Sequence, residues 1–152
     1  MSEYKFNYDE KEYLLNDTNC SGLINDEEKP VKGVNLSDII NLLDSGDNID
    51  FDLEYYQEAC PECLAGVKEK AKFFPFLEYH FYIFSKNQEY VISDISKEYE
   101  GLSFNKLSKA KKVDDSYIVS IIICKSCGDY IVQIENCIVS VSYTHLTLPT
   151  IA

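Results

Sequence analysis

The chain contains no arginine: all 14 of its basic residues are lysines, set against 26 Asp and Glu for a formal charge of -12. Arginine's planar fork is the usual reader of phosphates and guanine edges, and a net anion is repelled by another polyanion. No nucleic acid and no anionic membrane surface is therefore expected as a partner. Nor does any apolar run approach the roughly 20 residues needed to cross a bilayer. The opening MSEYKFNYDEKEY lacks the cationic start and apolar stretch of a secretory leader, so the expected location is cytoplasmic. The G-x-x-x-x-G-K-[ST], G-x-S-x-G and H-E-x-x-H patterns are missing, which favours a role other than catalysis. DSGDNIDFDLE has the acid density of a calcium loop without its D-x-[DN]-x-[DN]-G register, and an EF-hand is excluded.

What is present suits one globular unit. With 152 residues, 45% hydrophobic and 13% aromatic, the chain can build its own core. No linker or internal repeat divides it, so residues 1–140 are expected to form a single domain. The end, VSYTHLTLPTIA, contains no Lys, Asp, Glu or Asn, residues that saturate everything before it. Val141 through Thr150 also resembles the translation of a transposase sequencing adapter. Residues 141–152 are accordingly expected to be a read-through tail foreign to the fold, which removes His145 as a candidate ligand. Lys, Asn, Ile and Tyr make up about a third of the chain; their A/T-rich codons hint at a low-GC bacterial source.

The pattern predicts an α+β protein, rich in β-hairpins, with one or two short helices. Residues 3–8 and 12–15 flank the polar turn DEK as a hairpin. Residues 16–33 are polar and punctuated by Gly22, Pro30 and Gly33, and are expected to be mostly loop. NLSDIINLLDSG predicts a helix capped by Asn35 or Ser37, with Ile39, Ile40, Leu42 and Leu43 inward and Gly46 as the stop. In NIDFDLEYY the alternation places Ile49, Phe51, Leu53 and Tyr55 on one face of a strand. FLEYHFYIF and EYVIS form a second hairpin around SKNQ, and the region from Ser103 to Lys112 a Lys-rich helix. SYIVSIIIC and YIVQIENCIV flank KSCGD, which puts Cys124 and Cys127 on a hairpin tip.

Four of the six cysteines lie in two C-x-x-C pairs, CPEC at residues 60 to 63 and CKSC at residues 124 to 127. In a reducing compartment such thiols are metal ligands or redox groups more often than staples. Zinc takes four thiolates in a tetrahedron, and a C-x-x-C turn offers two sulfurs close to backbone N–H groups. Pro61 fixes the backbone after the first cysteine, and Gly128 permits a left-handed residue after CKSC.

The C-P-x-C and C-x-x-C-G pair resembles a split zinc ribbon, over residues 60 to 66 and 124 to 128. As a whole the chain resembles the small uncharacterised zinc-ribbon-type families of bacteria. That resemblance implies Cys60, Cys63, Cys124 and Cys127 as ligands of one structural Zn2+ per chain, held on hairpin tips. Two departures stand out: Leu64 occupies the place of a glycine after the first pair, and sixty residues separate the pairs. Tripling a loop costs only about 1 kcal/mol, small beside the roughly 10–16 kcal/mol of structural zinc. The competing reading is a thiol-disulfide oxidoreductase using Cys60 and Cys63, with a helix starting near Leu64 to activate a thiolate. Cys20 and Cys137 stand apart and are expected to fill the core.

Other signals are weaker. The seven aromatics of FFPFLEYHFYIF could stack on bases but lack a cationic groove, and read as sheet core. His80 shares a strand face with Glu78 and Tyr82, the setting of an ordinary hydrogen-bonded strand histidine. Lys106, Lys109, Lys111 and Lys112 read as a solvated helix face. The functional expectation is a non-enzymatic interaction or regulatory protein, stabilised by zinc, with an unknown protein partner.

Overall fold

The computed structural model describes residues 3–46, 49–99 and 101–137. Two strands, β1 (Tyr4–Tyr8) and β2 (Lys11–Leu15), form the first hairpin, whose turn residues Asp9 and Glu10 are both left-handed, φ 51° and 65°. β3 (Cys20–Ile24) and α1 (Leu36–Ser45) follow. Then come β4 (Asp52–Tyr56), β5 (Phe74–Lys86) and β6 (Glu89–Ser93), α2 (Phe104–Lys109), β7 (Asp115–Cys124) and β8 (Tyr130–Asn136). The class is α+β and strand-rich, as the sequence predicts.

Six strands make one sheet in the order β3-β8-β7-β5-β4, with β6 also pairing β5. Every pairing is antiparallel except β3 with β8. β5 is long enough to carry β4 at its start (Tyr56 opposite Phe74) and β6 at its end (Lys86 opposite Glu89). Because side chains alternate across the sheet, two faces result. Leu77, Phe81, Ile83, Tyr117, Val119, Ile121, Ile123, Val132 and Ile134 point to one face and bury against Tyr13, Leu15, Ile39, Leu43 and Phe51. The opposite face carries one cluster at each end. Phe84, Leu107 and Val113 pack under α2; Tyr56, Cys60, Phe74, Phe76, Ile122 and Cys124 pack where β4 and β7 end.

The helices follow their caps. Asn35 accepts from the Asp38 N–H at 3.0 Å while the Asp38 carboxylate accepts from the Asn35 N–H at 2.9 Å, a reciprocal capping box that selects Asn35 over Ser37. Ile39, Ile40 and Leu43 are buried, as the periodicity predicts. α2 is shorter than the predicted 103–112 segment: Ser103 caps it and it ends at Lys109.

The segment 16–33 is mostly loop, as expected, but it contains one strand: Cys20–Ile24 pairs in parallel with β8 at the sheet edge. Its polar sequence has no alternation, and its partner lies some 110 residues on. At the end of β4 Tyr55 keeps the face of Leu53, as the alternation predicts, but is 60% exposed there, while Tyr56 is buried on the other side against the cysteine cluster. The 141–152 tail lies outside the described residues, as does His145.

Candidate metal centre

Strand pairing brings the four cysteines together. β4 ends at Tyr56 opposite Phe74, and Phe76 lies opposite Cys124, the last residue of β7. The CPEC loop leaving β4 and the CKSC tip joining β7 to β8 therefore meet at one end of the sheet. One sulfur from each of the four cysteines lies within 4.8 Å of every other. The shortest approaches cross between the pairs: Cys60 to Cys127 and Cys63 to Cys124, each at 3.7 Å. These are free thiols, since a disulfide needs about 2.05 Å.

The two turns use the same backbone device. In each, the N–H four residues after the first cysteine donates to that cysteine's carbonyl, Leu64 to Cys60 and Gly128 to Cys124, both at 2.9 Å. Both donors are left-handed, Leu64 at φ 53° and Gly128 at φ 85°. The departure from glycine at residue 64 thus leaves the geometry intact. Cys60 and Cys124 are buried among Tyr56, Phe74, Phe76 and Ile122, whereas Cys63 and Cys127 reach solvent.

Backbone donors face the sulfurs. The Asp129 N–H lies 3.4 Å from Cys127 Sγ. Burial alone would raise the Cys63 thiol, but the Ala65 N–H and the thiols of Cys124, Cys127 and Cys60 bring it below its ordinary value. Burial pushes Cys124 up, against N–H groups of Cys127 and Ser126. Cys127 is raised too, by burial and then by Cys124. Thiols crowded this closely cannot all ionise without a cation among them, whose charge would reverse the balance.

The sequence reading missed the brace around the second turn. Lys11 Nζ donates to the carbonyls of Lys125 (3.0 Å) and Ser126 (2.9 Å), and Tyr13 Oη donates to Lys125 O at 2.8 Å. Asn19 donates to Gly128 O at 3.3 Å. All three come from a region more than 100 residues away, so no local motif could have announced them.

The remaining candidates fall elsewhere. The helix expected near Leu64 is absent: 61–63 and 65–70 form turns, with Val67 N–H donating to Leu64 O and Lys70 N–H to Val67 O. Cys60, the first thiol of CPEC, is buried. The missing helix removes the helix-terminus activation that the redox reading relied on, while Cys63, the second thiol of CPEC, is exposed. Cys20 and Cys137 are only partly buried; Cys20 packs against the margin of the main core. His80 bonds Ser120 Oγ at 2.8 Å and Glu78 at 3.3 Å on the open middle of the sheet face. Phe73 and Tyr82 are exposed while Phe74, Phe76, Phe81 and Phe84 are buried, so the aromatic run is divided between core and surface. Among the described residues no helix is long and apolar enough to cross a membrane.

Residues 4–139 match the family described as protein of unknown function (DUF3785). No curated protein and no solved structure matches the chain.

Proposed function

Since the chain belongs to the DUF3785 family, whose description assigns no function, its role has to be read from its own site, and we propose a non-enzymatic interaction or regulatory protein held together by one structural zinc ion. The observation that carries this reading is the sulfur spacing. Four ligands at about 2.3 Å around a tetrahedral ion sit about 3.8 Å apart, and the two cross-pair distances are 3.7 Å. Cys60, Cys63, Cys124 and Cys127 would be the ligands. An all-thiolate set fills every tetrahedral position and leaves none for substrate, which is the character of a structural site.

The chain's own residues prepare that site. Leu64 and Gly128 turn the backbone so that N–H groups face the sulfurs, while Lys11, Tyr13 and Asn19 hold the second turn in place. Tyr56, Phe74, Phe76 and Ile122 pack against Cys60 and Cys124. A clamp at this position ties the loop between β4 and β5 to the β7–β8 hairpin.

The test is metal content and thiol reactivity of reduced protein purified without a metal-affinity tag. The expected result is one zinc per chain, with four thiols protected until a chelator is added. Cys124→Ser should then destabilise the fold as severely as Cys60→Ser. A metal-free protein with one hyper-reactive CPEC thiol, and a folded Cys124→Ser variant retaining disulfide-reductase activity, would overturn the proposal.

A further inference from the structure

On the sheet face that carries the cysteines, two clefts share Ile24 and Gln133 and so form one groove beside β3 and β8. The half nearest the metal centre, about 210 Å³, is lined mainly by apolar side chains, Ile24, Ala59, Phe76, Ile122 and Ile131, with Pro61 of CPEC and Asp129 also in its wall. The other half, about 370 Å³, is lined by Asp26, Glu27, Glu28 and Glu135. Among the described residues no lysine lines either half. The nearby Lys29 directs its ammonium to Asp115 instead. The acidic half therefore has no compensating cation in its own wall, and Glu135 shows the effect: burial, then the charge of Asp26, raises its carboxyl above the ordinary range.

The size of the apolar half argues against a cofactor-sized ligand, since such sites occupy about 300–1,000 Å³. It suits a single large side chain. From Tyr130 to Glu135 the groove follows β8, a length of roughly 17 Å at about 3.3 Å per residue, or five residues of extended chain. We propose that this groove binds an extended segment of a partner protein that places one aromatic or aliphatic side chain beside CPEC and lysine or arginine residues against Asp26, Glu27, Glu28 and Glu135. The inference names the partner chemistry of the interaction module proposed above and rests on that reading. The charge of -12 would draw such a segment in, with a rate that falls as salt rises.

The experiment is fluorescence anisotropy with labelled hexapeptides carrying phenylalanine at one end and lysines at the other, in both orders, and with the lysines replaced by glutamates. Metal content is measured on the same samples. The exposed positions Glu27, Glu28 and Ile24 supply Glu27→Lys, Glu28→Lys and Ile24→Ser, variants that leave the metal centre and the main core untouched. One order of the basic peptide should bind, with affinity falling about tenfold or more in the double charge reversal and in Ile24→Ser, and falling with added salt. Equal binding of the basic and acidic peptides, or binding indifferent to these substitutions, overturns the proposal. So does self-association abolished by Ile24→Ser, which would make a second copy the occupant. Metal-loaded protein that binds no peptide overturns the groove and leaves the clamp standing; metal-free protein that binds supports the groove and overturns the clamp.

Discussion

At Leu64 a side chain occupies backbone territory that glycine holds in the matching turn, φ 53° against 85° for Gly128. A left-handed L-residue costs about 1–2 kcal/mol, while glycine gives back roughly 0.5–1 kcal/mol through the unfolded chain. Leu64 is 56% exposed, so little packing is at stake. Leu64→Gly should therefore be neutral or stabilising by up to about 1 kcal/mol in urea unfolding. Gly128→Ala should cost about 1 kcal/mol through backbone strain alone, because an added Cβ there meets nothing within 4 Å. Gly66→Ala should cost more, since φ is 89° and the Cβ would lie 3.0 Å from the Phe74 ring. Titration offers a second test at Glu135, whose carboxyl is raised by burial and Asp26. A raised carboxyl binds its proton more tightly in the folded state, so its contribution to stability falls as pH rises from the ordinary glutamate value through the folded one. Glu135→Gln should consequently gain on the wild type as pH is raised from about 4.3, the ordinary glutamate value; a difference that stays unchanged on raising the pH would count against this assignment. At this scale the cysteines were legible because their spacing is local, whereas the exposure of Tyr55 and the burial of Tyr56 were not, because they depend on what covers each face.

Among the elements, both tight hairpins were readable from their polar turns, and α1 from its cap and periodicity. β3 was not, because nothing in CSGLI alternates and the strand it pairs with, β8, is distant in sequence. The connection that follows β3 is organised by two adjacent side chains: Asn25 donates to Val31 O at 2.8 Å and accepts from the Val31 N–H at 3.2 Å, and Asp26 ties the turn to β8. Asp26 accepts from the Glu28 and Lys29 N–H groups at 2.9 and 2.8 Å and, with its other oxygen, from the Asn136 N–H at 2.9 Å. Asp26→Ala should free this strap and lower stability by about 2–4 kcal/mol, given that a hydrogen bond to a charged group is worth about 1.5–3 kcal/mol and such losses do not add fully. Hydrogen exchange should show residues 25–31 losing protection while α1 keeps its own. If stability fell without that local signature, the strap would not be the reason.

For the whole molecule, the proposed zinc clamp sets how far a change at the four cysteines reaches. The cysteine cluster and the main core occupy opposite faces of the same strands: β5 supplies Phe76 to one and Leu77 to the other, and β7 supplies Ile122 and Ile123. Opening one face therefore disturbs the other, which argues for a single cooperative transition. Structural zinc contributes about 10–16 kcal/mol in small peptides, against a typical domain stability of about 5–15 kcal/mol. Chelation should accordingly unfold the chain at room temperature and not merely loosen the CPEC loop, and returning zinc should restore it. Circular dichroism with and without chelator, on protein of known metal content, checks this. A sheet signal that survives chelation, with exchange protection lost only around Tyr56, Phe74 and Phe76, would mean that the main core stands by itself and that the clamp serves the groove more than the fold.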